Sequence, residues 1–407
     1  MTSDHGRGSP IESRDTPPIS ADLIGTSRLI VAGFDGVTDV VEGMHRNVAG
    51  LAPLVGPSRA GPTRGITGLV YRNIRRVSTL VGWGLDTGLG RLSPLLPVQD
   101  PSPQREAARS VVNGVLGDYL VRSGNPLAIP TRFRSGGRPL DLERGALESR
   151  FPEPSNRLLI LVHGLCMNDR HWQKKDHDHG SALARDLGYT PLYLHYNSGR
   201  RVTDNGRDFA DLLEDLVSQW PVTVEELVIL GHSMGGLVSR SACRWGQEAG
   251  HHWPTRLKKI VFLGTPHHGS TLERLGSGLD FLLGISPYSA PISRIGKVRS
   301  AGIQDLREGN IGDAAHDRNG IPERFPPGTQ CYAVAATNQP SPSAFPWIER
   351  GDGLVPLKSA LGQHRDSARC LPVPPERQAV FHGLNHFDLL NNRQVYERLL
   401  QWFGRQQ

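Results

Sequence analysis

The spacing of hydrophobic positions changes near residue 125. Before that point apolar residues step by three and four. Ile30, Phe34, Val37, Val41, Met44 and Val48 fall on one face of a helix over 28–48. A Gly/Pro-rich break follows at 50–65. The pattern then resumes over 66–92 with Ile66, Val70, Ile74, Val77, Val81 and Leu85. Pro94, Pro97, Pro101 and Pro103 punctuate a linker. A third run, about 104–121, carries Ala108, Val111, Val115 and Tyr119. Residues 1–20 are polar, have no periodicity and predict a disordered tail. Residues 21–122 therefore predict a helical N-terminal extension, and no catalytic motif is visible in it.

After residue 125 short apolar runs alternate with helical stretches. LAIPTRFRSGGRPLDL (127–142) predicts a strand, a Gly-Gly turn and a second strand. Further strands are expected at 158–162, 191–196, 226–231, 259–264, 330–337 and 378–382, and helices at about 205–219, 235–247 and 392–404. Strands separated by helices point to βαβ units, a mostly parallel sheet and helices on both faces. LLILV and LVIL are continuously apolar, as strands buried on both faces must be. This domain is assigned to residues 123–407. The stretch between 264 and 330 exceeds a simple crossover, so a cap or lid insertion is expected at about 271–329. It contains Phe281, Leu282, Leu283, Ile285 and Tyr288, which could roof an apolar substrate or merely pack on the domain.

The segment ELVILGHSMGG (226–236) holds the pattern G-x-S-x-G as Gly231-His232-Ser233-Met234-Gly235. The short pattern is common. Its setting, an apolar strand before and a helix-compatible LVSRSACRW after, is the strand–turn–helix context such a nucleophile requires. The turn needs small residues two before and two after the serine, and both positions are glycine. A serine hydroxyl needs a base and an orienting acid. On a sheet of this kind they follow in the order acid, then histidine. Asp352 in RGDGLVP (350–356) and His386 in FHGLNHFDLL (381–390) supply that order. Glu349 is a rival acid, His382 a rival base, and Asp388 fits a local cap. Two donors must also face the developing oxyanion. The backbone N–H of Met234 is one candidate. The N–H of Leu165, after the strand that runs into His163-Gly164, is the other. The His163 side chain is read as structural.

LVHGL (161–165), GHSMGG (231–236), GTPHHGS (264–270), GDGLVP (351–356) and NHFDLL (385–390) together resemble the lipase and esterase branch of the α/β-hydrolase superfamily. GTPHHGS and GDGLVP look especially like bacterial lipases and the hydrolase domain of glycosylphosphatidylinositol inositol-deacylase-like proteins. The resemblance covers about residues 125–405 and none of residues 1–120. It implies an α/β-hydrolase fold with a mostly parallel central sheet, a cap insertion and an N-terminal helical extension. It also implies a triad of Ser233, Asp352 and His386, with Leu165 and Met234 as oxyanion donors. The implied activity is hydrolysis of a carboxylic ester, of small-molecule or lipid type, through an acyl-enzyme. Thioester or amide hydrolysis would use the same apparatus. A non-catalytic hydrolase-like scaffold is the alternative of a different class.

Composition narrows the picture. No apolar run approaches the 18 or so residues of a spanning helix. The four cysteines, at 166, 243, 331 and 370, form no closely spaced pair, which argues against a disulfide scaffold or zinc ribbon. No metal ligand set or cofactor is expected: Asp176-His177-Asp178-His179 alternates on an extended segment, so its side chains point to opposite sides. His267 and His268 are read as fixed by packing. The polar N-terminus lacks a signal-peptide core, so a cytoplasmic location is expected. The formal charge is +6, from 46 basic and 40 acidic residues, and only six of the 46 are lysine. Dispersed arginine fits coding bias or affinity for anionic surfaces. Arg200 and Arg201, on the loop after the strand at 191–196, could meet an anionic group of the substrate or stay solvated. No nucleic-acid partner is expected. The extension over 21–122 should bury its apolar faces within the protein, with peripheral membrane contact as the rival.

Overall fold

The computed structural model describes residues 21–31, 80, 102–174, 177–270, 300–312, 325–341 and 351–404. Eight strands form one sheet in the order β2-β1-β4-β3-β5-β6-β7-β8. They are β1 (Arg132–Ser135), β2 (Arg138–Pro139), β3 (Arg157–Val162), β4 (Thr190–His195), β5 (Glu226–His232), β6 (Leu257–Leu263), β7 (Gln330–Thr337) and β8 (Gln378–His382). The described helices of this unit are α1 (Pro103–Arg122), α2 (Arg144–Arg150), α3 (His179–Leu187), α4 (Val202–Gln219), α5 (Met234–Glu248), α6 (Ala301–Glu308), α7 (Leu357–Ala360) and α8 (Arg393–Gly404).

The sheet follows from the residue pattern. Gly136 and Gly137 both adopt positive φ, which lets β1 and β2 close as an antiparallel hairpin. β1 also runs antiparallel to β4, and every pairing from β4 to β8 is parallel. Leu227, Val228, Ile229 and Leu230 of β5 are fully buried, as a central strand covered on both faces requires. Because β3 to β8 are parallel, their carboxyl ends share one edge. The segments that carry the expected site residues all leave the sheet there.

The strand–helix alternation matches the sequence expectation, and the ends shift by only a residue or two, except that α4 starts at Val202 rather than about 205. The described residues divide into two compact units. One holds 102–121 and everything from 128 onward; the other holds 21–31 and 122–127. The helix expected to close the N-terminal extension, α1, therefore goes with the sheet. The reason lies in its buried side. Val111 and Val115 are buried as expected, but so are Glu106, Ser110, Asn113, Gly114 and Gly117, while Tyr119 is exposed. In the smaller unit residues 21–31 are helical, and the Asn125 side-chain amide donates to the Gly25 carbonyl at 3.0 Å. The rest of the expected helices at 28–48 and 66–92, the tail at 1–20 and most of the cap at 271–329 lie outside the described residues. No described helix is long and apolar enough to cross a membrane.

Helices α4 and α5 pack most closely at Gly206. A Cβ there would sit 2.3 Å from Ser241 Oγ and 2.4 Å from its Cβ. Alanine is the better helix former by about 1 kcal/mol, but crowding a packed contact costs about 1–3 kcal/mol. Gly206→Ala should therefore lower stability in urea unfolding. A variant as stable as the parent would show that the two helices part freely.

Candidate active site

The site is built on the turn between β5 and α5. Ser233 has φ 54° and ψ −125°, and it shares positive φ with only one other non-glycine described residue, Cys166. Such a conformation costs of order 1–3 kcal/mol and persists only where neighbours enforce it. The neighbours are the glycines. A Cβ on Gly231 would lie 2.8 Å from Gly236 Cα, and one on Gly235 would lie 2.2 Å from the Val162 carbonyl oxygen at the end of β3. The Ser233 N–H donates to the Leu263 carbonyl at the end of β6, at 2.9 Å. Met234 opens α5, so its N–H lies outside the helix's own hydrogen-bond ladder and at the positive end of the helix dipole.

Asp352 and His386 meet. His386 Nδ1 lies 2.7 Å from Asp352 Oδ2, and both side chains are buried. The other carboxylate oxygen, Oδ1, accepts the N–H groups of Leu354 and Val355 at 3.0 and 2.9 Å. The carboxylate can only accept, so Nδ1 carries a proton and Nε2 of the neutral ring is left as an acceptor. Gly351 makes this turn possible, since a Cβ there would fall 1.6 Å from the Val355 carbonyl oxygen. The rival histidine, His382, pairs in register with Thr337 at the end of β8. Glu349 lies outside the described residues. Asp388 takes the local role, accepting from the Asn385 N–H at 3.0 Å.

Ser233 and His386 reach the same strand edge, where His232 links them. His232 Nε2 donates to the His386 carbonyl at 3.1 Å, and the two rings lie 4.7 Å apart. No hydrogen bond joins Ser233 to His386 themselves. In ligand-free sites such contacts are often long and tighten only with substrate. His232 sits inside the GHSMGG motif, yet its role as a bolt across 154 residues of sequence has no local signal. Gly236, the last residue of GHSMGG, has a packing role of its own. It lets α5 pass Thr265, whose Oγ1 would lie 2.0 Å from a Cβ there.

The loop after β3 lies against the serine. A Cβ on Gly164 would be 3.1 Å from Ser233 Cβ, so Leu165 follows directly from that contact. Cys166 turns the chain with φ 60° and donates its N–H to Ser198 Oγ at 3.0 Å. His163 is buried, stacks on Tyr196 at 4.4 Å and is held by burial at a pKa of about 3, which fits a structural role. Together these groups provide a strained serine, an imidazole with a free acceptor nitrogen and backbone donors beside the serine.

Several other expectations resolve here. Arg200 pairs with Asp208, and Arg201 pairs with Asp305 at 3.3 Å, so both arginines already hold a carboxylate. His267 is buried against Phe262 and Arg240, and His268 lies against His364. His177 Nε2 and His179 Nδ1 meet at 2.8 Å, where α3 begins. Among the described residues no group of three or more His, Cys, Asp or Glu could hold a metal ion.

Residues 153–290 match the family model of the PGAP1-like alpha/beta domain. That stretch carries β3 to β6 and the serine turn, and over it the chain resembles that domain. No curated protein matches the chain. Among solved structures, a lipase of Bacillus licheniformis in its mature form is 17% identical, with 67% of this chain and 97% of that one covered and a TM-score of 0.42. With its propeptide the same lipase is 18% identical over 63% of this chain, at TM-score 0.42, and the match spans only 52% of that longer chain. An esterase of Pyrococcus furiosus is 14% identical over 62% of this chain and 82% of its own, at TM-score 0.39. The mostly parallel sheet and the serine turn fit the α/β-hydrolase fold.

Burial also makes a pH prediction. It holds His163 and His179 at about 3 and pushes His232 and His267 well below the ordinary histidine value. The unfolded chain would protonate these rings near pH 6.5 while the folded protein keeps them neutral. Their stabilising effect is thus complete above about pH 6.5 and is lost as pH falls towards 3, at up to about 1.4 kcal/mol per pH unit for each ring. The melting temperature should be level above pH 7 and fall steeply between about 6.5 and 5, before carboxylates titrate. A level profile down to pH 5 would contradict burial of these rings in the neutral form.

Proposed function

We propose that the protein is a serine hydrolase of carboxylic esters, acting on an apolar small-molecule or lipid ester. The reading rests above all on the buried His386–Asp352 pair, 2.7 Å apart, at the strand edge where the backbone holds Ser233 at positive φ. In this reading His386 Nε2 takes the hydroxyl proton as Ser233 Oγ attacks the ester carbonyl. The Leu165 and Met234 N–H groups stabilise the oxyanion. His386 returns the proton to the leaving alkoxide, which departs as the alcohol. A water, deprotonated by His386, then attacks the acyl-enzyme, and the acid is released as Ser233 recovers its proton. Asp352 keeps the ring oriented and offsets its transient positive charge.

A cleft of about 440 Å³ has walls that include Met167 and Phe387, near neighbours of Leu165 and His386 in the chain, beside polar groups such as Arg170, Lys174 and Asn385, so it suits an ester with an apolar part and a polar part. Ala107 and Leu390 continue its apolar lining. A larger cleft, about 810 Å³, is lined by charged and amide groups such as Arg185, Asp186 and Arg393, and neither cleft contains a proposed catalytic residue among its walls.

Hydrolysis of p-nitrophenyl esters across increasing acyl length tests the reading. Ser233→Ala should lower kcat by at least about 10³-fold while leaving the melting temperature near that of the parent. A fluorophosphonate should label the peptide that carries Ser233. His386→Ala should resemble Ser233→Ala, whereas His382→Ala should stay within a few-fold of wild type. Labelling at another serine, or a folded Ser233→Ala variant with a tenth of parental activity, would reject the assignment. No activity on any ester, thioester or amide, with no labelling, would favour the scaffold reading.

A further inference from the structure

Helix α1 lies upstream of the stretch that matches the family model, yet it docks on the loop that follows β3. Its contacts form a ladder. Residues 106, 110 and 114 are spaced by four, so they share one face of the helix. Opposite them stand alternate loop residues in reverse order, 170, 168 and 166.

At the first rung, Glu106 uses both carboxylate oxygens. Oε2 accepts Arg170 Nε at 2.5 Å and Oε1 accepts Arg134 Nη2 at 2.7 Å. Arg134, itself buried, reaches on to Asp169 at 2.8 Å. At the second rung, Ser110 Oγ accepts the Asn168 side-chain amide at 3.2 Å. Asn168 in turn caps the short 3-10 turn at Asp169–Trp172. At the third rung there is no side chain. Gly114 faces Cys166 so closely that a Cβ would fall 2.3 Å from its Sγ and 3.0 Å from its Cα and N. The Ser300 hydroxyl donates to the Gly114 carbonyl at 2.7 Å, and the Asn197 side chain to the Gly117 carbonyl at 3.0 Å, which hold the helix further.

The loop needs such support. Cys166, next to Leu165, is a non-glycine residue in the left-handed region, a conformation held only by its surroundings. An oxyanion donor is useful only when it already points at the place where charge will develop. We propose that the Glu106–Ser110–Gly114 face of α1 is a positioning element for the oxyanion loop, setting where the Leu165 N–H points without touching substrate. This rests on the Ser233 and Leu165 roles proposed above. It makes a helix outside the matched domain part of the catalytic apparatus.

The test compares Gly114→Ala, Glu106→Gln and the double variant G114A/C166G in the full chain. Rates are normalised to the serine titrated by fluorophosphonate. Gly114→Ala should lower kcat by about 10- to 100-fold, since a misplaced donor forfeits much of the roughly 10²–10³-fold it supplies. KM should stay within about threefold. Affinity for a trifluoromethyl ketone, which captures the serine as an oxyanion adduct, should fall by the same factor as kcat/KM. Glu106→Gln keeps the size but weakens both ion pairs, and should move the same quantities in the same direction. In G114A/C166G the Sγ is gone and glycine accepts the positive φ, so at least half of the logarithmic loss should return. If Gly114→Ala fails to fold, Glu106→Gln and the double variant carry the test. Normalised kcat and inhibitor affinity within twofold of the parent in the folded variants would overturn the proposal. So would a loss confined to the titratable fraction or to KM. Failure of Ser233 labelling in the parent would instead overturn the underlying hydrolase reading.

Discussion

The serine turn constrains everything around it. Ser233 occupies a backbone region that side-chain-bearing residues avoid, and the cost is met by packing from three strands. β3 presses the Val162 carbonyl against Gly235, β6 accepts the Ser233 N–H through Leu263, and Gly231 lies against Gly236. These contacts exist only because β3, β5 and β6 are adjacent, parallel and in register, with Val162 opposite Gly231 and His232 opposite Leu263. A slip of one residue in either pairing would turn every side chain on that strand to the other face. It would also remove the supports of the turn. The sheet register and the site geometry are thus one constraint.

Around that turn burial favours the neutral form of three histidines. His163, His232 and His267 are almost fully buried, and burial lowers the basicity of each. Were any of them charged, its field would act at short range in a low-dielectric setting on the His386–Asp352 pair. A neutral His232 can donate to the His386 backbone without repelling the ring beside it. The arrangement leaves the Asp352 carboxyl as the acidic group directly hydrogen-bonded to His386, as the role proposed for that ring would need.

What could be seen in the sequence divides along the range of the interactions. β3 to β7 show as apolar runs because each is buried along most of its length, and Gly231 and Gly235 mark the turn because its constraint is local. The chain order Ser233, Asp352, His386 is visible because sheet topology imposes it. Glu106 is a different case. It sits in a helix whose pattern suggested an apolar stripe, and its partners lie 28 and 64 residues away. No local spacing marks a buried carboxylate that is satisfied from another part of the chain. Arg200 and Arg201 illustrate the same limit in reverse. Their exposure to an anionic ligand was a fair reading until Asp208 and Asp305 folded onto them.

The buried ion group explains why α1 travels with the sheet rather than with the residues before it. Burying Glu106 and Arg134 costs several kcal/mol for each charge unless each is fully paired. The group meets that condition only when α1, β1 and the loop after β3 are assembled together, since Glu106, Arg134, Asp169 and Arg170 come from all three. Removing the helix would take the Glu106 carboxylate from the buried Arg134 and the Gly114 contact from Cys166. An apolar contact of equal area would tolerate sliding along the helix. A bidentate carboxylate held by two guanidinium groups does not, because its geometry fixes distance and angle at once. The polar composition of the buried face is therefore better suited to fixing a loop in place than to adding stability.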